Sequence, residues 1–456
     1  MDYDLLVLGG GAAGLAAAQA GVDAGASVLL VSEGELGGDC TFTGCVPSKT
    51  LIEAAAAGAS FAEAMSRVRA TVARIAATED ESVLRRRGIN VMRGRARIVS
   101  RDTIDVDGRR VRGRRIVIAT GATPVVPPLD GLAATPYLTT ETVFDLTEPP
   151  ESLAILGGGA VGCELAQAFA RIGVAVSIVE AMDRLLPGVE PEASALLAEI
   201  FDAEGVAVHA AARAHTVQAR DGQVVLHIDS GKVVSAQRLL VAVGRSPCTG
   251  GLGLDAVGVK TDERGFVVVD RHMRTTADQI SAAGDVTGLF PHTHAAYGMG
   301  RVAVRAALRR RRPPSFDATA IPQVVFTAPE IASVGVVESD VADDRARVAF
   351  LPLSEVDRAI TADRTTGFVK LLAGPRPLLR NLGGGRVLGA TIMADRAGEL
   401  VHEPALAMRT RMFTGRLAQT VHAYPTWSLA IQQATAQFFG AYGGRTARPA
   451  HPRDEI

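Results

Sequence analysis

The chain has 456 residues, 47% of them hydrophobic, and a formal net charge of -1. That length corresponds to about three domains, each able to bury a core without disulfide staples, and four cysteines are too few to form such a framework. The near-neutral charge excludes the basic footprint of a nucleic-acid or acidic-membrane binder, so small molecules are the expected partners.

Asp4 to Gly9 reads as a short buried strand, and Gly9-x-Gly11-x-x-Gly14 opens an alanine-rich helix. These glycines permit a tight turn and close approach of a pyrophosphate to the helix N-terminus, which marks a dinucleotide site. Residues 5 to 22 carry no charge, yet the Gly triplet and the preceding Asp2 and Asp4 argue for a buried strand and helix rather than a membrane span or signal peptide. Without a targeting segment the expected location is cytoplasmic.

Next comes Leu36-Gly37-Gly38-Asp39-Cys40-Thr41-Phe42-Thr43-Gly44-Cys45-Val46-Pro47-Ser48-Lys49. Two thiols this close can form and break a disulfide. Pro47 suits the first turn of the helix that follows, placing Cys45 at a helix N-terminus. Backbone N–H groups and the helix dipole favour a thiolate there, below the free value of ~8.5. Half a zinc site or a static disulfide is the bland alternative, but zinc wants four clustered ligands, and Cys163 and Cys248 lie in other motifs. In a cytoplasmic chain a persistent cysteine pair points to catalysis. Only Lys49, Lys232, Lys260 and Lys370 are lysines, so 44 of the 48 basic residues are arginine and a lysine at position 49 suggests that a compact ammonium is needed.

The pattern Gly-Gly-x-Cys-x-x-x-Gly-Cys-x-Pro-Ser-Lys resembles the redox motif of the pyridine nucleotide-disulfide oxidoreductases, the flavoprotein family of dihydrolipoamide dehydrogenase, glutathione reductase and mercuric reductase. Further motifs of that family follow in order to about residue 440. The resemblance implies an α/β fold with two Rossmann-like domains, one for FAD and one for NAD(P), and a C-terminal α+β interface domain in a homodimer. Expected boundaries are 1–146 with 270–318 for FAD, 147–269 for NAD(P) and 319–456 for dimerisation. It further implies that Cys45 is the flavin-proximal thiolate and Cys40 the outer thiol.

Around FAD, the resemblance assigns Gly9, Gly11, Gly14, Gly38, Asp39, Lys49 and Ala96. Ala119-Thr120-Gly121 looks like the exit from the FAD domain, and Ala283-Gly284-Asp285 like the return segment. There Asp285 would bond the ribityl chain, and Thr293 and His294 would start a helix near the flavin ring. His292 and His294 read as capping or solvated residues, since no further metal ligands are evident. Where the family has an acid for the FAD ribose, this chain has Ser32, with Glu33 one position later.

A second fingerprint, Gly157-x-Gly159-x-x-Gly162, follows the strand Leu153 to Leu156 and indicates a second dinucleotide, a nicotinamide. Its next strand, Val174 to Val179, ends in Glu180, which would bond the ribose hydroxyls and repel a 2′-phosphate, favouring NADH. Arg184 nearby keeps NADPH open. By resemblance, Glu164 pairs with Lys49, and Val241-Ala242-Val243-Gly244-Arg245 closes the NAD domain. Phe326-Thr327-Ala328-Pro329-Glu330 resembles the entry to the interface domain.

In disulfide-reducing members a C-terminal His-Pro followed by Glu supplies the partner's acid/base dyad. The Pro-anchored alignment here puts Tyr424 at the His position and Leu429 at the Glu position. At neutral pH a phenol with a pKa of ~10 donates a hydrogen bond but is a poor base. Thiol–disulfide exchange needs proton traffic at the leaving sulfur, whereas a soft metal ion takes the thiolates as ligands. Mercuric reductase is similar in having Tyr here, although no Cys follows Cys248 and no thiol-bearing domain precedes the FAD strand. The expected enzyme passes electrons from NADH through FAD and Cys40/Cys45 to a metal ion or other non-dithiol acceptor. Dihydrolipoamide dehydrogenase and a redox-sensing flavoprotein with little turnover are the alternatives. The Arg-, Pro- and His-rich tail after Gly443 is expected to be disordered.

Overall fold

The computed structural model describes residues 2–229, 231–308, 312–341, 345–376, 378 and 380–450. Two compact units are present. One comprises Met1–Leu153, Thr216–Val225 and Ser235–Asp317; the other comprises Ala154–His215, Leu226–Val234 and Ala318–Ile456.

At the centre of the first unit lies the strand Tyr3–Leu8, paired in parallel with Val28–Ser32 on one side and Arg109–Ile118 on the other. Ile89–Arg93 and Ile280–Ala282 extend the same parallel sheet outward. Leu5, Leu6 and Val7 are wholly buried, as are Ile116, Val117 and Ile118. Such uninterrupted apolar runs are what a sheet covered on both faces requires. Beyond this core, Arg109–Ile118 continues into an antiparallel meander with Thr103–Val106 and Ala96–Ser100, where Arg and polar residues alternate with buried ones.

Helix Ala12–Asp23 packs against helix Thr293–Leu308. The contact is close at Gly300, where a Cβ would lie 2.3 Å from the Ala13 carbonyl oxygen. Helix Cys45–Ala56 packs on helix Phe61–Ala76. The latter starts at a Ser60–Glu63 capping box, which satisfies two otherwise unpaired N–H groups.

In the second unit, Ala175–Val179 and Ala207–His209 pair in parallel, flanked by helices Ala160–Arg171 and Pro191–Ala203. An antiparallel sheet forms the rest, in the order Gln323–Val325, Glu330–Gly335, Arg386–Ala394, Phe368–Gly374, Arg347–Pro352 and Arg448–Pro449. Its core joins strand residues such as Ile392 and Leu371 to Ile431 and Ala434 of helix Leu429–Ala436. The fold class expected from the sequence is present.

The expectation of a disordered tail is corrected up to residue 450. Arg448 and Pro449 pair with Val348 and Arg347, and Ala450 is buried. The Arg448 guanidinium makes a two-pronged contact with Glu338. Polar composition hid this strand because backbone pairing, the Arg448–Glu338 contact and a single buried alanine dock it, none of which gives an apolar periodicity. Residues 451–456 lie outside the described residues.

Lys370 is 1% exposed in the middle of its strand. Its ammonium lies 2.9 Å from Glu190, 2.7 Å from Glu192 and 2.7 Å from Glu338. Burial pulls its pKa down, but the three carboxylates outweigh that and raise it. A point-like ammonium meets three carboxylates that a planar guanidinium fork does not match.

Candidate functional site

The two fingerprint turns repeat one geometry. Gly9 and Gly157 have φ of +113° and +111°, accessible at little cost only to glycine. A Cβ on Gly14 would lie 1.9 Å from the Gly9 oxygen, and one on Gly162 would lie 2.0 Å from the Gly157 oxygen, so each helix begins hard against its turn. Gly11 and Gly159 occupy the N-cap positions without side-chain caps. A Cβ at Gly159 would meet nothing within 4 Å, and at Gly11 only the Gly38 Cα at 4.0 Å. Both helix N-termini therefore present open N–H groups, the donor set and clearance that a pyrophosphate needs.

The strand ends beneath these turns differ. A Cβ at Gly10 would meet the Ser32 Oγ at 2.6 Å, and one at Gly158 would meet the Glu180 Cβ at 3.0 Å, so Ser32 and Glu180 hold equivalent places. Ser32 donates its hydroxyl to the Gly34 carbonyl at 2.9 Å, while Glu33 is exposed. Glu180 is buried and accepts the N–H of Gly158 at 2.6 Å and of Met182 at 2.7 Å. Its carboxylate is thus fixed by the backbone. Arg184 donates to the Pro187 carbonyl at 3.0 Å.

Cys40 lies in the short helix Gly38–Phe42, and Cys45 is the first residue of helix Cys45–Ala56. Gly44 lets the two helices join tightly, since a Cβ there would lie 2.8 Å from the Asp39 oxygen. All four cysteines are free thiols in this structure. Cys40 is hydrogen-bonded to Cys45, and that bond, with burial and repulsion from Cys45, pushes the Cys40 thiol far up. The Thr293 hydroxyl lies 3.3 Å from the Cys45 sulfur and also bonds Cys40. His292 and His294 stack with centroids 5.4 Å apart. Burial, then the charges of His294 and Lys49, lower His292 to about 4, so it is neutral at physiological pH.

Among the described residues, the one triad of His, Cys, Asp or Glu groups close enough to share an ion is Glu190, Glu192 and Glu338. The Lys370 ammonium sits among them.

Sequence reasoning missed the role of Arg245. Its guanidinium bonds Asp39 and the Ala122 carbonyl, and its Nε lies 3.6 Å from Asp285. Burial raises the Asp285 pKa, and Arg245 opposes that rise. Arg245 thus gathers two of the expected FAD residues, and the Val241–Arg245 motif that carries it was the available signal. Gly244 has φ +128°, and its carbonyl accepts the Val125 N–H at 2.9 Å. Thr120 donates to the Cys248 carbonyl at 2.7 Å, and Gly121 accepts from the Cys248 N–H at 3.0 Å. Ala96 begins the meander strand opposite Val106.

In the second unit, Glu164 is buried in helix Ala160–Arg171 and accepts the Phe326 N–H at 3.0 Å. Lys49 lies one turn past Cys45 in the first unit.

Tyr424 is exposed and donates its hydroxyl to Asp357 Oδ2 at 2.9 Å. That bond, with the charge of Asp357, raises the phenol pKa. His422 points elsewhere: Nε2 lies 3.1 Å from both oxygens of Glu403 and Nδ1 2.9 Å from the Thr420 carbonyl. Both ring nitrogens are thus engaged within the C-terminal unit, by a backbone carbonyl and by a carboxylate.

No helix among the described residues is long and apolar enough to cross a membrane. Residues 3–300 match the sequence profile of the pyridine nucleotide-disulphide oxidoreductases, and residues 321–435 match that family's dimerisation domain. The chain is 37% identical to a mercuric reductase of Streptomyces lividans, over 96% of each chain. It is 33% identical to dihydrolipoyl dehydrogenase 2 of Haloarcula marismortui, over 95% of this chain and 96% of that one. Among solved structures, the Cu(II) complex of the HOCl-induced flavoprotein disulfide reductase RclA from Escherichia coli superposes with a TM-score of 0.88 at 28% identity, covering 96% of this chain and 99% of that one. The chain belongs to the pyridine nucleotide-disulphide oxidoreductase family and is an FAD-containing, NAD(P)H-dependent oxidoreductase.

Proposed function

We propose that the protein takes hydride from NADH and delivers electrons through a Cys40–Cys45 disulfide to a soft or redox-active metal ion. The observation that carries this reading is the C-terminal loop, where a phenol bonded to Asp357 stands in the place of an imidazole and His422 is turned onto Glu403. The mercuric reductase relatives and the Cu(II) complex of the similar E. coli reductase support a metal acceptor.

FAD, when bound, supplies the electron pair received from the nicotinamide. On taking two electrons and one proton, the S–S bond breaks to give the Cys45 thiolate and the Cys40 thiol. Thr293 and the helix N-terminus stabilise the thiolate. Loss of the Cys40 proton then completes a two-thiolate ligand set that a soft cation matches. Passing the two electrons to one two-electron ion such as Hg(II), or to two one-electron ions such as Cu(II), restores the disulfide. Glu180 holds the NADH ribose, and Tyr424 of one protomer completes the site of its partner in a homodimer.

The double variant Tyr424→His/Leu429→Glu tests the assignment. It should gain activity on lipoamide or glutathione disulfide, and Tyr424→His alone should gain less because nothing orients the imidazole. A double variant without any gain rejects the loop as the determinant of acceptor class.

A further inference from the structure

Glu79 lies between helices Phe61–Ala76 and Glu81–Arg86, outside every motif discussed above. Its Oε2 accepts the Thr41 hydroxyl at 2.8 Å, and Thr41 is buried directly beside Cys40. The same oxygen would lie 2.2 Å from a Cβ on Gly37, so it rests against that glycine's backbone, where φ is +109°. The carboxylate is therefore bonded at one end of the Gly37–Thr41 segment that carries Cys40 and packed against the other. Among the described residues no Lys, Arg or His forms an ion pair with it. Its charge acts on the outer sulfur in the direction that disfavours a Cys40 thiolate.

We propose that Glu79 is a positioning residue that sets the redox poise of the Cys40–Cys45 couple, its anchored carboxylate making the dithiol a stronger reductant. A disulfide is neutral, whereas its reduced form carries thiolate charge. An anion held close to one sulfur therefore raises the energy of the reduced form more than that of the oxidised form, and the couple shifts toward lower potential. For an enzyme whose thiols hand electrons onward, this increases the driving force of the last transfer. The inference rests on the redox-disulfide reading above.

The test equilibrates the FAD-loaded protein with dithiothreitol redox buffers at pH 8 and counts Cys40 and Cys45 thiols by alkylation and mass spectrometry. Glu79→Gln removes the charge while keeping a hydrogen-bond partner for Thr41. It should shift the equilibrium toward dithiol by about threefold to tenfold, equivalent to a rise of about 15–30 mV at 29.6 mV per decade. Glu79→Asp should stay within about twofold of wild type, and Glu79→Ala should shift in the same direction as Glu79→Gln. A purely structural role predicts the reverse ranking, with Glu79→Gln near wild type and Glu79→Asp displaced. An unchanged or lowered potential in both charge-removing variants overturns the inference while the couple itself persists. A wild type whose two thiols never interconvert with a disulfide overturns the function proposed above instead.

Discussion

Tyr424 donates its hydroxyl to Asp357 at 2.9 Å, joining the C-terminal loop to the first residue of helix Asp357–Thr361. The carboxylate both aims the phenol and keeps its proton in place. Replacing Asp357 by Asn removes the charge that raises the phenol pKa. Tyr424 should then ionise at lower pH, nearer the ordinary value of ~10. Absorbance at 295 nm, corrected with Tyr424→Phe, measures the shift. Metal-ion reduction should fall in both variants and quinone reduction should not, if the phenol helps bind the cation.

Cys45→Ser and Cys40→Ser should separate the two thiols. Anaerobic NADH should produce a long-wavelength thiolate-to-flavin charge-transfer absorbance in the wild type; Cys40→Ser should show it without NADH, since its lone Cys45 thiolate faces oxidised flavin, and Cys45→Ser should show none in either state. The opposite pattern would exchange the roles of the two sulfurs. Loss in neither variant would reject the redox-disulfide reading.

Glu180 accepts two backbone N–H groups, which pins its carboxylate under the second fingerprint. Losing a charged hydrogen bond costs roughly 1.5–3 kcal/mol, or about tenfold to a hundredfold in affinity. Glu180→Ala should raise the KM for NADH by that range and narrow the NADH/NADPH preference. Steady-state kinetics with both nucleotides reads the effect, and unchanged selectivity moves the discrimination to another residue.

Lys370→Ala should destabilise the protein strongly. It leaves Glu190, which is 0% exposed, without its ammonium partner, and breaking a buried pair costs about 3–5 kcal/mol. The deficit should shrink as pH falls from 8 to 5, because an unpaired buried carboxylate relieves itself by taking a proton. Burial pushes Glu338 up, but Arg448 and Lys370 outweigh it and hold the group at about 2 in the native protein against an ordinary 4.5. That depressed value contributes stability present above pH ~4.5 and lost as pH falls toward 2. Thermal unfolding midpoints of wild type and variant across pH 3–8 test both statements.

Much of the site was legible in the chain because its determinants are local. Gly9, Gly14, Gly157 and Gly162 announce turns that only glycine fits, and Cys40 to Lys49 is one continuous segment. What escaped depends on distant partners. Asp357 reaches Tyr424 across 67 positions, Glu79 reaches Thr41 across 38, and Arg245 reaches Asp39 across 206. No periodicity or spacing encodes such pairs. His422 illustrates the converse, since a histidine near the expected place is tied to Glu403 and a backbone carbonyl. The docked tail escaped for a related reason, because its anchors, Glu338 for Arg448 and the cluster of Val341, Val348 and Leu372 around Ala450, lie far away in sequence.

NADH oxidation catalysed by the wild-type holoenzyme across acceptors decides whether electrons leave the thiol pair for a metal ion or for a disulfide. Measurable turnover with Hg(II) or Cu(II), together with poor turnover on lipoamide and glutathione disulfide, is the expected result. Turnover of a dithiol or disulfide at rates typical of good enzymes, on the order of 10–10³ s⁻¹, would contradict it.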